Sequence, residues 1–423
     1  MVPNGWLKTD LNPFIDIKHG FAFKSEYFRE EGEYVLLTPG SFYEPGGFRD
    51  QKSKTKYYVG DIPKGYLLSK GELLVAMTEQ AAGLLGSTLF VPSHDRYLHN
   101  QRLGLIQIKD KNGICPEFLY LTYNSPYIRK QIAEQSTGTK VKHTSPDKLK
   151  SVICLLPPLP EQRKIAQILS TWDRGIATTE KLIDASKQQK KALMQQLLTG
   201  KKRLIDPETG KAFEGEWEEV KLGDLGKTFT GLTGKTKEHF GRGSKYIPYI
   251  NIFRNSSVDM NALELVDVRP NEKQNLVKYG DIFFTTSSET PEEVGMSSVI
   301  LEEIDESVYL NSFCFGFRPH NFNRVKPEFI RYLLRSEKVR RSISLLAQGA
   351  TRYNLSKTQL LKITLNIPSL GEQQKIASVL TTADKDIELL EAKLAYFKQE
   401  KKALMQQLLT GKRRVKVPET EAA

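Results

Sequence analysis

Several short stretches of this sequence carry residue types that could do chemistry. TGLTGKT at 230–236 has the Gly-Lys-Thr ending of a phosphate-cradling loop. The GxxxxGK[ST] spacing requires a glycine where the chain has Phe229, so the stretch reads as a turn. Holding a flipped adenine takes a polar-Pro-Pro-aromatic loop. The nearest string, Asn12-Pro13-Phe14, lacks the second proline and has no Gly-rich cofactor loop upstream, and FGRG at 240–243 has the wrong spacing to be one. PDKLK at 146–150 lacks the preceding strand carboxylate of a nuclease core and reads as a helix start. The six histidines form no HExxH. Cys115, Cys154 and Cys314 are odd in number and show no CxxC spacing, which indicates neither a zinc site nor a disulfide framework. With no catalytic or metal-ligating constellation, the expectation is a non-catalytic binding module with no cofactor of its own.

Two Gly-containing polar turns are better suited to binding: STGTKVKHTS at 136–145 and QGATRYNLS at 348–356. Thr137, Gly138, Thr139, Lys140, Lys142 and His143 in the first combine backbone donors, hydroxyls and cations, as do Gly349, Thr351, Arg352, Tyr353 and Asn354 in the second. Such groups suit phosphate and base-edge contacts, although a solvated polar loop has the same composition. Thr78-Glu79-Gln80 after ELLVAM and Ser287-Ser288-Glu289 after DIFFTT read as strand tips that differ between otherwise corresponding segments. Thr78, Gln80, Ser287 and Ser288 therefore join the candidate contacts. Readers of different sequences would diverge in this way, and so would drifting surface turns. Lys and Arg total 62 against 50 acids, a net charge of +12. A polyanion partner follows, nucleic acid ahead of a membrane surface, with a diffuse basic field as the alternative.

The elements that must position these residues repeat. KKALMQQLLTGK occurs at 190–201 and again at 401–412, an offset of 211. LPEQRKIAQIL at 159–169 matches LGEQQKIASVL at 370–380 at the same offset, as Trp6 matches Trp217 and Asn100 matches Asn311. The segments 159–200 and 370–411 share 24 of 42 residues, whereas the domains before them have diverged. The chain is a tandem duplication of a variable domain followed by a helix.

Each helix carries an a/d pattern over about five heptads, the signature of a paired-helix seam. The first runs through Ile165, Leu169, Trp172, Ile176, Thr179, Ile183, Ser186, Lys190, Leu193 and Leu197, and the second through Ile376, Leu380, Ala383, Ile387, Leu390, Leu394, Phe397, Lys401, Leu404 and Leu408. At 1.5 Å per residue each helix is roughly 60 Å long. The alternative is a surface helix packed on its own domain, which would be shorter and carry a broader stripe. The variable domains read as mixed α/β: YVLLTP, ELLVAM, STLFVP and LGLIQI are strands in the first, and DIFFTT, SSVILE and FCFGFRP in the second. PEFLYLTYNSPYIRKQIAEQ and KPEFIRYLLRSEKVRRSISLLAQ read as one late helix each, and SVICLLPPL and KITLNIPSL as last strands. A hydrophobic content of 39% indicates a folded chain. No run approaches 18 apolar residues and the first residues have no signal-like core, so a soluble protein of the reducing cytoplasm is expected, with no membrane partner.

These features resemble the specificity subunit of type I restriction-modification systems. The resemblance rests on LPPLPEQRKIAQIL and IPSLGEQQKIASVL opening the helices, LLTGK closing both, and W-x-x-x-x-L near the start of each domain. The first domain departs after Leu11, continuing NPF where the second continues GDL. It implies target-recognition domains at 1–158 and 203–368, spacer helices at 159–202 and 369–414, and a tail at 415–423. The implied architecture is a pseudo-two-fold repeat whose two globular domains are separated by two long antiparallel coiled-coil helices. The implied partners are double-stranded DNA, two modification (methyltransferase) subunits and two restriction subunits, with S-adenosylmethionine, ATP and Mg on those partners. Two other classes stay open: a self-sufficient restriction or methyltransferase enzyme, and a coiled-coil scaffold or RNA-binding protein.

Overall fold

The computed structural model describes residues 2–79 and 83–417. The chain divides into two compact units, Met1–Glu180 with Lys393–Ala423, and Lys181–Ala392. Both unit boundaries cut through a long helix, Leu159–Leu197 in one case and Leu370–Leu409 in the other. Each unit thus contains the first part of one long helix and the last part of the other.

The first unit is built on a four-stranded antiparallel sheet in the order Ile15–His19, Leu103–Ile108, Leu73–Ala76, Thr88–Phe90. The apolar run of Leu73–Ala76 is buried on both faces, as a central strand requires. A second sheet of five short strands includes Tyr34–Leu36, parallel to Tyr97–Leu98. The second unit repeats the four-stranded order with Gly226–Thr230, Cys314–Pro319, Ile282–Thr285 and Ser297–Val299. Its second sheet is reduced to three strands, among which Phe240–Ile247 runs parallel to Val308–Leu310. In both units the last strand, Cys154–Leu156 or Thr364–Ile367, pairs with the strand that follows the tryptophan, Leu7–Thr9 or Glu218–Lys221. The units are mixed α/β, as the strand and helix patterns predict.

The late helix is a correction. Each expected single helix is two: Pro116–Tyr123 then Pro126–Glu134, and Pro327–Leu333 then Glu337–Ser344. Pro126 has no N–H to continue a helix and sits at the first position of the next one, where Ser125 Oγ accepts from Ile128 N. Ser336 caps its helix in the same way through Val339 N.

The helix seam does two jobs. Ile165 and Leu169 are fully buried in the first unit's core, together with Leu408 and, partly buried, Leu404 and Met405. Ile376 and Leu380 are buried likewise in the second, beside Leu197 and Leu198 with Leu193 and Met194. At these ends the a/d residues face a globular core as well as the neighbouring helix. Farther along, Trp172 meets Phe397 edge-on, ring centroids 5.6 Å apart. Ile183 and Ile387 are buried, while Trp172, Ile176, Leu390 and Leu394 are half-buried. Lys190 and Lys401 point instead to carboxylates: Lys401 Nζ donates to Asp173 at 2.6 Å, and Lys190 pairs with Asp384. Lys398 pairs with Glu180 and Lys187 with Glu391, each at 2.7 Å. Along the ion pairs of each unit the partner's number falls as the first helix's number rises, 173 with 401 and 180 with 398 in one and 187 with 391 and 190 with 384 in the other, so the helix segments run antiparallel.

Candidate nucleic-acid interface

The polar turn and the strand tip of each domain are far apart in sequence, and the structure pairs them. In the first unit Thr78–Glu79 forms an antiparallel pair with Lys142–His143, in register Lys142 to Glu79 and His143 to Thr78. In the second, Ser287–Ser288 pairs with Tyr353–Asn354, Ser287 to Asn354 and Ser288 to Tyr353. The turns themselves are closed hairpins. Thr137 and His143 exchange both backbone bonds at 3.0 and 2.8 Å, and Gln348 and Asn354 do so at the same two distances. These positions are 211 apart, so the hairpins are equivalent in the duplication. Gly138 and Gly349 hold them at φ +100 and +134, and a Cβ at either would lie 2.1 Å from the carbonyl oxygen of Val141 or Arg352. Only glycine fits there.

At the hairpin tips, Thr139, Lys140, Thr351 and Arg352 are exposed, as are Thr137, Gly138 and Gly349. Thr78, Lys142 and Tyr353 are half-buried and Asn354 is exposed. Arg352 Nε donates to Ser287 Oγ at 3.2 Å, which steadies the guanidinium on the paired strand. Ser287 and Ser288 are not an exposed tip: each is 7% exposed. Their strand lies under the hairpin, the Ser288 hydroxyl turns back to Thr290 O, and Tyr249 Oη donates to Ser287 O at 2.9 Å. They support the platform rather than present groups to a ligand. Glu79 is buried as well, its Oε2 accepting from the backbone N–H groups of Gly83, Leu84 and Leu85 at 2.8–3.0 Å. Gln80 lies outside the described residues.

Two arginines that the sequence reading did not single out, Arg129 and Arg340, secure the loops after these strands. They too are 211 apart. Arg129 donates to Glu44 O at 3.1 Å and to Gly83 O, and Arg340 to the carbonyls of Glu292, Val294 and Gly295. Burial pulls each guanidinium down to about 10, which leaves both charged at neutral pH.

A second recurring device ties each platform's scaffold together. Arg414 Nε and Nη2 each donate at 2.8 Å to the Glu161 carboxylate, which also accepts from Trp6 Nε1 at 3.0 Å. Arg203 Nε and Nη2 donate to Glu372 at 2.7 and 2.8 Å. The glutamate that opens one long helix is therefore clamped by the arginine that follows the other. Next to them Gln162 and Gln373 are fully buried, and each makes three bonds to backbone groups at the start of its own domain's late helix and of its long helix. The repeated EQ and LLTGK motifs are the visible signal for both contacts.

The nucleotide-loop resemblance at 230–236 ends in a structural lysine. The Lys235 side chain is buried, ion-paired to Glu272 and donating to Asp267 O at 2.6 Å. Among the described residues no group of three or more His, Cys, Asp or Glu could hold a metal ion, and no helix is long and apolar enough to cross a membrane.

Comparison with known proteins gives this architecture a family. The model of the type I restriction modification DNA specificity domain matches twice, over residues 3–188 and 214–398. The MjaVIII type I restriction enzyme specificity subunit of Methanocaldococcus jannaschii is 30% identical over 325 residues, 74% of each chain. The EcoBI specificity subunit of Escherichia coli is 23% identical, over 89% of this chain and 78% of its own. Among solved structures, the specificity subunit of a type I restriction-modification system from M. genitalium superposes with a TM-score of 0.57 at 15% identity, covering 97% and 98% of the two chains. A subunit from Thermoanaerobacter tengcongensis gives 0.51 at 16%, with the same coverage. At such identities the structural likeness concerns the fold alone. The chain belongs to the type I restriction-modification specificity subunits, a family of DNA-recognition subunits.

Proposed function

We propose that each unit reads one half of a split double-stranded DNA target and that the long helices set the unspecified gap between the halves. In this reading the chain itself is not catalytic. Methyl transfer and cleavage belong to two modification subunits and two restriction subunits, which bring S-adenosylmethionine, ATP and Mg. The observation that carries the reading is the matched pair of hairpin platforms: equivalent backbone, glycine and anchoring, but TGTKVKH on one and QGATRYN on the other. A conserved frame with different donors and cations is what two readers of different base sequences require.

Each unit also carries a groove of the same construction between the start of its late helix and its long helix. Pro116, Glu117 and Ala166 line one, and Pro327, Glu328 and Ala377 the other, all at the 211 offset. Two copies of one partner would meet the same surface on each unit, which supports the pair of modification subunits. The test of half-site reading is to exchange residues 217–367 for the matching segment of a relative and map the methylated motif in cells by long-read sequencing. One half of the motif should change and the other stay. A change in both halves would sink the division of labour.

A further inference from the structure

A third segment joins each platform, and one exposed residue of it has no assigned role. Between the strands ending at Leu98 and Leu310 and the strands Leu103–Ile108 and Cys314–Pro319 the chain makes a tight turn, at Asn100–Gln101–Arg102 and Asn311–Ser312–Phe313. The turns are built alike. Asn100 Oδ1 accepts from Arg102 N at 3.0 Å and Asn311 Oδ1 from Phe313 N at 2.8 Å. Asn100 O accepts from Leu103 N at 2.9 Å and Asn311 O from Cys314 N at 3.1 Å. Each turn is then bonded to its platform strand, Met77 N to Arg102 O and Thr286 N to Phe313 O, both at 3.0 Å. The next residue of each hairpin joins the same strand, Thr144 N to Met77 O and Leu355 N to Thr286 O, both at 2.9 Å. Position 102 and position 313 thus stand beside their hairpins on a backbone fixed by asparagine and main-chain bonds.

Among the described residues the side chain at this position makes no hydrogen bond, ion pair or ring contact that holds the turn, and it differs between the units. Arg102 is exposed, and Phe313 is 61% exposed, a large apolar ring left in water on a rigid turn. An aromatic so placed gains little from folding, since the apolar area it keeps in water is stabilising only when something covers it. In a major groove the chemistry of the two residues is distinct. A guanidinium donates to guanine O6 and N7, while an aromatic ring packs against the thymine methyl group.

We propose that the residue at 102 and 313 is a specificity-determining contact: Arg102 reads one guanine of the first unit's half-site, and Phe313 covers one thymine methyl of the second's. This rests on the half-site reading above, and it adds the two residues and the base each selects.

The experiment uses the full chain assembled with its modification subunits on duplexes carrying the methylated motif. Base analogues delete one recognised atom at a time: 7-deazaguanine removes N7, and deoxyuridine removes the thymine methyl. For the parent complex, 7-deazaguanine at one position of the first half-site should weaken binding by part of the roughly 5- to 150-fold that a whole bidentate pair is worth, about 5-fold or more, and deoxyuridine at one position of the second by about 4-fold. Arg102→Ala should bind the guanine and 7-deazaguanine duplexes equally, and should relax that one position in the methylated motif. Phe313→Ala should become indifferent to the methyl group, while Phe313→Leu keeps part of the discrimination. Equal thermal stability of parent and variants separates loss of contact from loss of fold. If both variants keep the parent's full analogue discrimination on a split motif, the proposal is wrong and half-site reading stands. Weakened assembly with the modification subunits and unchanged base preference would assign Phe313 to a protein contact and overturn it for that residue. A parent complex without preference in either half would overturn the underlying reading itself.

Discussion

The two glutamate clamps make an unequal pair, and their inequality can be measured. Replacing Arg203 by Ala leaves Glu372 as an uncompensated carboxylate with no exposed surface, and removing one partner of a buried ion pair costs about 3–5 kcal/mol. The Arg203 side chain is 24% exposed, so water can reach part of the gap, and the first turn of the helix favours a negative charge. About 2–4 kcal/mol is expected. Replacing Arg414 should cost less, about 1–2 kcal/mol, for two reasons. Its side chain is 44% exposed, and Glu161 keeps the hydrogen bond from Trp6 Nε1. Trp217, at the corresponding place in the second unit, has no partner for its Nε1 among the described residues. For units of this size a kcal/mol moves Tm by about 2–4 °C. Thermal unfolding of the full chain should therefore show Arg203→Ala lowering the midpoint several degrees more than Arg414→Ala. Adding Trp6→Phe to Arg414→Ala should close most of that difference beyond the cost of Trp6→Phe alone. If Arg414→Ala is as damaging as Arg203→Ala without the tryptophan change, the Trp6 bond is not what compensates.

His99 is fully buried, its Nε2 2.9 Å from Leu103 O and its Nδ1 without a partner among the described residues, and burial pulls its pKa down to about 4. The unfolded chain takes up this proton near pH 6.5 and the folded chain only near 4, so stability is full above 6.5 and falls between those values. The slope is up to about 1.4 kcal/mol per pH unit. His99→Phe should remove that slope from a urea-stability profile against pH, and a parallel profile would refute the assignment. Gly349→Ala places a Cβ 2.1 Å from Arg352 O at positive φ, so the second half of the methylated motif should degrade while the first persists; loss of both, with the fold intact, would contradict separate platforms. A heptad inserted in both helices, after Ile183 and after Leu394, keeps the seam in phase and adds roughly 10 Å. The unspecified gap should lengthen by roughly one to three base pairs, with domain rotation and DNA bending able to shrink the increment. An active variant with an unchanged gap would show that the helices do not set it.

Strands such as Ile15–His19, Gly226–Thr230 and Phe240–Ile247 were not legible, but the sequence by itself determined the duplication, the most apolar strands and the long helices. Those are set by neighbours along the chain, through periods of two and of 3.6 residues and through proline and glycine stops. The heptad positions Ile165, Leu169, Ile376 and Leu380 are apolar for a reason visible in sequence, although what they pack against was not. Ser125-Pro126 announces the break in the first late helix, and only the length of the apolar pattern concealed it. What tertiary structure alone decided is which distant polar residues meet. Ser287 and Ser288 look like a solvent tip after a strand, and burial under a hairpin 65 residues onward makes them supports for Arg352. Glu161 stands in a repeated EQ motif, but nothing in that motif names Arg414, 253 residues away, as its partner. The placement of Arg102 and Phe313 beside the hairpins depends on a turn being bonded to a strand that is separate from it in sequence. Such meetings come from long-range strand pairing and helix docking, whose energy is shared over the whole core. No local composition encodes them.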